Sequence, residues 1–130
     1  KRVAHKLDIE HKILRPIWKD QRIHYAVNCA SYSCPNLSAM AFTANNTEEL
    51  LEEGASAYIN HPRGVDVDGD DLLLSSIFDW YLVDFGDSQE TLVQHLKHYA
   101  KPALKQKLAA FERNGGDIDH DYNWDLNESK

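Results

Sequence analysis

The sequence is poor in basic residues, in long apolar runs and in cysteines, and each scarcity argues against one class of protein. It has two cysteines and one methionine, and 14 Lys+Arg face 21 Asp+Glu, which gives a formal net charge of −7. No basic stripe follows the chain, so we do not expect nucleic-acid binding. No apolar run approaches the roughly 20 residues that a membrane-spanning helix needs, so no membrane span is expected either. Two cysteines also do not make a disulfide-rich scaffold.

What the chain does have is enough apolar material for one core. It contains 130 residues, of which 42% are hydrophobic, with no internal repeat and no linker that would divide domains. This predicts a single domain over residues 1–130. The opening "KRVAHKLDIEHKILR" has no initiator Met and no signal peptide. It is either a natural domain start or a trimmed product, and if it is trimmed the compartment cannot be inferred from this end.

The first half of the chain predicts helices around one short strand. In "DIEHKILRPIW" an apolar helical face is formed by Ile9, Ile13 and Leu14, and Pro16 is expected to end the helix. "RIHYAVNCA" is typical of a short buried strand, with a helix as the second choice. "NNTEELLEEGASAYIN" begins with a capping-box pattern, Asn46 followed by Glu49, and continues as an amphipathic helix.

The second half predicts a hairpin followed by further helices. "HPRGVDVDGDDLLLS" reads as two short strands around an Asp-Gly turn. "SSIFDWYLVDFG" predicts a helix capped by a serine, and Asp87 or Ser88 is expected to cap the next helix. Pro102 suits the first turn of a last helix through Phe111. The aromatic tail is expected to dock on the body, so the fold class is α+β, helix-dominated, with a few short strands.

Chemically reactive side chains are concentrated in "HYAVNCASYSCP", residues 24–35. His24 and Asn28 lie four positions apart, so they face the same side on a strand or on a helix. An Asn–His pair is similar to the way a thiol protease orients its imidazole, with a cysteine as nucleophile. Cys34 lies on the predicted loop and is better placed than Cys29 to be that thiol. The alternatives are a buried polar pair with structural cysteines, or a Cys29–Cys34 disulfide.

Other side chains support weaker hypotheses. His11, His24, Cys29 and Cys34 are donors that zinc accepts, but no second paired motif accompanies them, so no metal and no cofactor is predicted. Arginines at three positions could clamp an anionic ligand, although each is more often the partner of a carboxylate: Arg15, Arg22 and Arg63. In "HLKH", His95 and His98 share a helical face, and we expect both to be surface residues.

Several stretches together resemble the domain-of-unknown-function family 547, which occurs in bacterial, often exported, proteins and in plant and animal ones. They are "DIEHKILR", "RIHYAVNCASYSCPNL", "YINHPRG", "LSSIFDWYLVDFG" and "YNWDLN", which together span nearly the whole chain. The family's motif residues correspond to Glu10, His11, Arg15, Asp20, Arg22, His24, Asn28, Cys29, Ser33, Cys34, Pro35, Asn60, Arg63, Ser75, Phe78, Trp80, Tyr81, Asp84, Phe85, Tyr122, Trp124 and Asn127.

The resemblance adds an expectation about completeness. Members of the family normally have a helical segment upstream of "DIEH", so the chain resembles the C-terminal part of a larger domain. If so, it is expected to expose apolar surface, which a homodimer would cover. The resemblance to exported bacterial proteins also implies a periplasmic or extracellular location if an upstream signal was removed.

The leading functional hypothesis is a thiol- and histidine-dependent acyl-transfer or hydrolytic enzyme, or a domain that binds a small or peptide-like ligand. In the enzyme, Cys34 is the nucleophile, His24 the base, and Asn28 or Glu10 the orienting group. Arg22 and Arg63 would hold substrate carboxylates, and His11 and Cys29 would lie near the ligand. The alternatives are a non-catalytic protein-interaction domain whose polar cluster is structural, and a zinc-supported fold.

Overall fold

The computed structural model describes residues 8–128, and the charged opening of the sequence, residues 1–7, lies outside the described part. A π-helical segment, Ile9–Leu14, leads into two short helices, α1 (Arg15–Trp18) and α2 (Ile23–Ala26). After a long loop come α3 (Thr47–Ile59), β1 (Val65–Asp68), β2 (Asp71–Ser75) and α4 (Ile77–Trp80). A 3₁₀ helix (Leu82–Phe85), α5 (Gln89–Tyr99), α6 (Pro102–Asn114) and β3 (Ile118–Asp121) complete the order.

The three longest helices and the sheet enclose one apolar core. Helix α3 buries Leu51, Ala55, Tyr58 and Ile59, which recur at helical spacing as the sequence predicts. The fold class is therefore confirmed: helices predominate and the strands are short. Phe85 belongs to this core and also lies beside the ring of His24, with a centroid distance of 5.7 Å. The core thus extends directly to the cluster in residues 24–35.

The sheet has three strands in the order β1-β2-β3. The predicted hairpin is confirmed: β1 and β2 are antiparallel, with Asp68 opposite Asp71. Gly69 in the turn has a φ of 64°, a conformation that glycine adopts without steric cost. Strand β3 pairs with β2 in parallel. This pairing carries the C-terminal tail back across the molecule, so the tail docks on the body as expected.

The N-terminal elements differ from the prediction. Pro16 does not end a helix but lies in the first turn of α1, where its missing N–H is not needed. In the π-helical segment the buried side chain is Glu10, whereas Ile9 and Ile13 are 43% and 48% exposed. Ile9 and Ile13 therefore do not form the buried face that the spacing predicts. The incomplete domain and the homodimer expected from the resemblance stay predictions.

Residues 23–26 form a turn of helix where a strand was the first prediction. The Asp20 carboxylate accepts from the backbone N–H of Arg22 at 2.9 Å, and this starts the turn. Ile23, His24 and Tyr25 are all buried. Because three consecutive residues are buried, the sequence pattern shows neither the alternation of a strand nor the spacing of a helix, and it could not distinguish between them.

Some of the predicted helix caps are present and others are not. Ser88 caps α5 by accepting from the Thr91 N–H at 3.1 Å. Asn46 does not cap its helix through its side chain. At the start of α4 it is Ser75, and not Ser76, whose side-chain oxygen accepts a backbone hydrogen bond, from the Ile77 N–H at 3.3 Å. Helix α6 ends at Asn114, three residues beyond the predicted end, with Gly115 at a φ of 66°.

Candidate functional site

A cavity of about 570 Å³ lies between the π-helical segment, the cysteine loop and the C-terminal tail. It lies beside the only stretch of the chain that combines histidine with cysteine. Apolar and aromatic side chains form most of its wall, and a few polar groups and the two cysteines complete it. The lining residues are Glu10, His24, Val27, Cys29, Cys34, Ile77, Trp80, Tyr81, Tyr122 and Trp124.

His24 lies at one side of this cavity and is held by two carboxyl groups. Its Nδ1 is 2.9 Å from Glu10 Oε1, and its Nε2 is 2.8 Å from Asp84 Oδ2. His24 and Glu10 are both 3% exposed. The His24 ring also stacks on Tyr81 with a centroid distance of 4.2 Å. Both ring nitrogens are therefore engaged, and the plane of the ring is fixed by packing.

Arg15 completes the charge balance around Asp84. Its Nε and Nη2 donate to the two Asp84 carboxylate oxygens at 2.6 and 2.9 Å, a bidentate arrangement. Burial opposes ionisation of Asp84, but the hydrogen bonds from Arg15 and His24 outweigh it and lower the pKa of Asp84. His11 accepts from Arg15 Nη1 at 2.8 Å through its Nδ1, so His11 supports Arg15.

Cys29 and Cys34 are joined by a disulfide, one of the alternatives that the sequence left open. The backbone N–H of Cys29 donates to Cys34 Sγ at 2.9 Å. The hydroxyls of Ser31 and Tyr122 lie 3.2 and 3.0 Å from Cys29 Sγ. Cys34 is 1% exposed, whereas Cys29 is half-buried. Cys29 is therefore the more accessible of the two sulfurs, because the loop on which the sequence favoured Cys34 as the thiol folds inward at Cys34.

Asn28 shapes the loop and does not contact His24 by any hydrogen bond described for these two residues. Its Nδ2 donates to the Pro35 carbonyl at 2.8 Å, and its Oδ1 accepts from the Ala30 N–H at 2.9 Å. Ala30 has a φ of 64°, a conformation that a non-glycine residue rarely adopts without such support. The group that the structure places on His24 is Glu10, together with Asp84.

The C-terminal tail forms the opposite wall of the cavity. The Tyr32 N–H donates to the Asp125 carbonyl at 2.7 Å, and the Asn123 N–H donates to Ser33 Oγ at 2.7 Å. This holds Tyr122 and Trp124 against Trp80, with ring centroids 4.9 and 5.8 Å from the Trp80 ring. Trp80 is 49% exposed and Trp124 is 70% exposed, so this aromatic wall opens to solvent.

The two arginines predicted to hold a substrate carboxylate lie outside the cavity lining. Arg22 donates to carboxylates within the protein: to Asp20 Oδ2 at 2.7 Å, to Glu48 Oε1 at 2.6 Å and to Glu52 Oε1 at 2.6 Å. Arg63 donates to Asn36 Oδ1 at 2.8 Å and lies over the Tyr32 ring. The more frequent role of such arginines, as partners of protein groups, is the one that Arg22 has here.

The zinc hypothesis is not supported by the side-chain positions. Within residues 8–128, no group of three or more His, Cys, Asp and Glu side chains is arranged to hold a metal ion. The four donors named from the sequence have other partners. The two cysteines are bonded to each other, His24 contacts two carboxyl groups, and His11 accepts from Arg15.

Sequence reasoning assigned no site role to Asp84, Tyr122 or Trp124, although the resemblance named all three as motif residues. Asp84 is 60 positions from His24, and Tyr122 is 93 positions from Cys29. Only the fold brings them together. The available signal was the acidic residue inside the aromatic run "DWYLVDFG", which is an unusual place for an uncompensated charge.

Comparison with known proteins gives a resemblance to one family and no function. The domain is a helix-dominated α+β unit with one cavity beside a His–carboxylate cluster. The family described as "Protein of unknown function, DUF547" matches residues 3–59, and this confirms the predicted resemblance over that range. No curated protein and no solved structure matches the chain. The matched range contains Glu10, His24, Cys29 and Cys34.

No helix in residues 8–128 is both long and apolar enough to cross a membrane.

Proposed function

We propose that this domain binds a small molecule in the cavity beside His24. The observation that carries the proposal is the cavity itself. Its volume of about 570 Å³ lies within the range of roughly 300–1,000 Å³ that is usual for small-molecule sites. Such sites combine a mostly apolar wall with a few fixed polar groups. Here the aromatic side chains form the wall, and Glu10 and His24 supply the polar groups.

The wall favours a ligand with a planar or ring-shaped apolar body. The rings of Trp80, Tyr122 and Trp124 contact one another, with Tyr122 and Trp124 centroids 4.5 Å apart. Aromatic rings gain from offset or edge-to-face contact with a further ring. A polar group on the ligand would face His24, whose position is fixed by Glu10 and Asp84. The cavity therefore has a rigid polar side at His24 and a partly exposed aromatic side at the tryptophans. The ligand would enter from the aromatic side.

The test is binding of an uncharged ring probe, 1-aminoanthracene, whose fluorescence rises in an apolar site. We expect saturable binding at one site. Val27→Phe replaces an isopropyl group in the cavity wall by a larger aromatic ring and should weaken binding by about tenfold or more, since overfilling costs about 1–3 kcal/mol. The matched control is Val83→Phe, because Val83 is 61% exposed and does not line the cavity.

Two results would contradict the binding proposal. One is the absence of saturable binding to the wild-type protein. The other is equal binding by the Val27→Phe and Val83→Phe variants, because a probe that ignores the filling of the cavity binds elsewhere. Circular dichroism of both variants shows whether each is folded, so a loss of binding is not confused with unfolding.

The acyl-transfer reaction predicted for Cys34, His24, Asn28 and Glu10 stays a prediction. It needs a free thiol, whereas Cys34 is bonded to Cys29. It also needs a base that can accept a proton, whereas both His24 nitrogens contact carboxyl groups. Binding requires neither change, and for this reason we prefer it as the function. The non-catalytic interaction domain is the outcome if the probe does not bind.

A further inference from the structure

The Cys29–Cys34 disulfide is not sealed inside the apolar core. Both residues line the cavity, and neither belongs to the core cluster between α3, α5 and the sheet. The two sulfurs differ in access, because Cys34 is 1% exposed while Cys29 is half-buried. A molecule in the cavity would therefore meet the sulfur of Cys29 first. Structural disulfides that resist reduction are usually inaccessible to an attacking thiolate.

The groups around the two sulfurs suit separated thiolates as well as the bonded pair. The Cys29 N–H donates to Cys34 Sγ at 2.9 Å, which would stabilise negative charge on that sulfur. The hydroxyls of Ser31 and Tyr122 lie 3.2 and 3.0 Å from Cys29 Sγ and could donate to a thiolate there. These partners come from the loop backbone and from the tail, so they do not depend on the disulfide bond alone.

From these contacts we propose that Cys29 and Cys34 form a reversible redox centre, which exchanges electrons with a thiol compound that has an apolar body. The aromatic wall of the cavity supplies the surface for that body. This proposal goes beyond ligand binding, since it assigns an oxidation–reduction to the site.

The exchange balances in two steps. A thiolate attacks Cys29 Sγ, a new sulfur–sulfur bond forms between them, and the bond to Cys34 breaks with its electron pair leaving on Cys34 Sγ. A second thiolate then attacks the sulfur of the bound thiol compound. It releases a small disulfide and leaves Cys29 as a thiolate. Two thiols are oxidised, the protein disulfide gains two electrons, and the two protons of the thiols are taken up by the cysteines.

The wild-type protein gives the first test. Dithiothreitol is added under native conditions, samples are quenched with iodoacetamide, and the number of labelled cysteines is read by mass spectrometry. We expect reduction at a rate proportional to dithiothreitol concentration, with an unchanged circular dichroism spectrum. A rate that is independent of dithiothreitol and equal to the rate of global unfolding would overturn the proposal. Two cysteines that are already free in the protein kept under air would overturn it as well.

Two variants test which sulfur is attacked. Cys34→Ser leaves Cys29 alone, and Cys29→Ser leaves Cys34 alone, so each is the matched control of the other. We expect 2-hydroxyethyl disulfide to form a mixed disulfide with Cys29 about tenfold faster or more, because reactivity follows access to the thiolate. Equal rates, or faster reaction at Cys34, would refute the assignment. If either variant does not fold, the concentration dependence in the wild-type protein decides.

Binding of 1-aminoanthracene to the oxidised and reduced wild-type protein separates this inference from the binding proposal. Exchange at a rate set by dithiothreitol without any probe binding would refute the ligand-binding function and leave the redox centre in place. Probe binding with a disulfide that resists native reduction would do the reverse.

Discussion

Replacement of Asp84 by asparagine tests whether the polar cluster beside the cavity is held together by charge. Asp84 accepts two hydrogen bonds from Arg15 and one from His24, at 2.6 to 2.9 Å. Its side chain is 24% exposed, and so is that of Arg15, whereas that of His24 is 1% exposed. Removing one partner of a fully buried ion pair costs about 3–5 kcal/mol. Because two of these groups are partly solvated and asparagine keeps one acceptor, we expect a loss of about 2 kcal/mol.

The measurement is equilibrium unfolding in urea, with Asp79→Asn as the control. Asp79 is an exposed carboxylate in α4, and the same chemical change there should alter the free energy of unfolding by less than about 0.5 kcal/mol. If Asp84→Asn is no more destabilising than Asp79→Asn, the carboxylate does not hold His24 and Arg15 in place. A change in the slope of the free energy of unfolding against urea concentration would indicate that the variant and the wild-type protein do not unfold between the same two states, so their free energies could not be compared.

The same variant has a pH signature. The pKa of Asp84 is lowered from its ordinary value of 3.8, because the hydrogen bonds from Arg15 and His24 outweigh the opposing effect of burial. A carboxyl group with a depressed folded pKa stabilises the fold above the unfolded pKa, and this stabilisation is lost as the pH falls through the folded value. As the pH falls through the ordinary value of 3.8 and below it, the wild-type protein should therefore lose more stability than Asp84→Asn. Parallel curves would contradict this.

Two further predictions concern the body of the domain. Burial lowers the pKa of His95 from 6.5 to about 4, so stability should fall as the pH drops from 6.5 towards 4, by up to about 3 kcal/mol. His95→Gln should remove most of this slope in urea unfolding between these pH values, and an unchanged slope would assign it to other groups. Ser88→Ala removes the side-chain cap of α5 and should cost about 1 kcal/mol in thermal unfolding. Ser76→Ala, which removes a side chain that does not cap α4, should cost clearly less, and equal losses would show that capping is not the cause.

The fold was predictable where a local pattern decides the structure. Helix α3 and the hairpin of β1 and β2 follow from apolar spacing and from one Asp-Gly turn. The prediction failed where tertiary contacts override a local rule. Pro16 opens a helical turn, and Glu10 turns inward where Ile9 and Ile13 do not, because His24 supplies a buried partner for its carboxylate. His95 was expected at the surface, but the half-buried ring lies 2.7 Å from the Tyr25 hydroxyl.

Only the part of the site that residues 24–35 contribute was predictable from the sequence. Residues 24–35 revealed that a histidine and two cysteines lie close together in the chain, and they do line one cavity. The spacing of His24 and Asn28 could not show that the loop turns Asn28 towards the Pro35 carbonyl. Asp84 and Tyr122 could not be placed from spacing at all, because their positions depend on the packing of the 3₁₀ helix and on the parallel pairing of β3 with β2.

The family match covers only some of the residues that line the cavity. The matched range, residues 3–59, contains Glu10, His24 and both cysteines, but it ends before Asp84 and before the tail. Asp84 fixes one nitrogen of His24, and Tyr122 lies against the sulfur of Cys29. Trp124 forms part of the cavity wall. The matched residues therefore contribute His24, Glu10 and both cysteines to the cavity lining, while residues outside the match supply hydrogen-bond partners for His24 and Cys29 and a further part of the wall. The cavity is therefore built by the chain well beyond residue 59 as well as by the matched range.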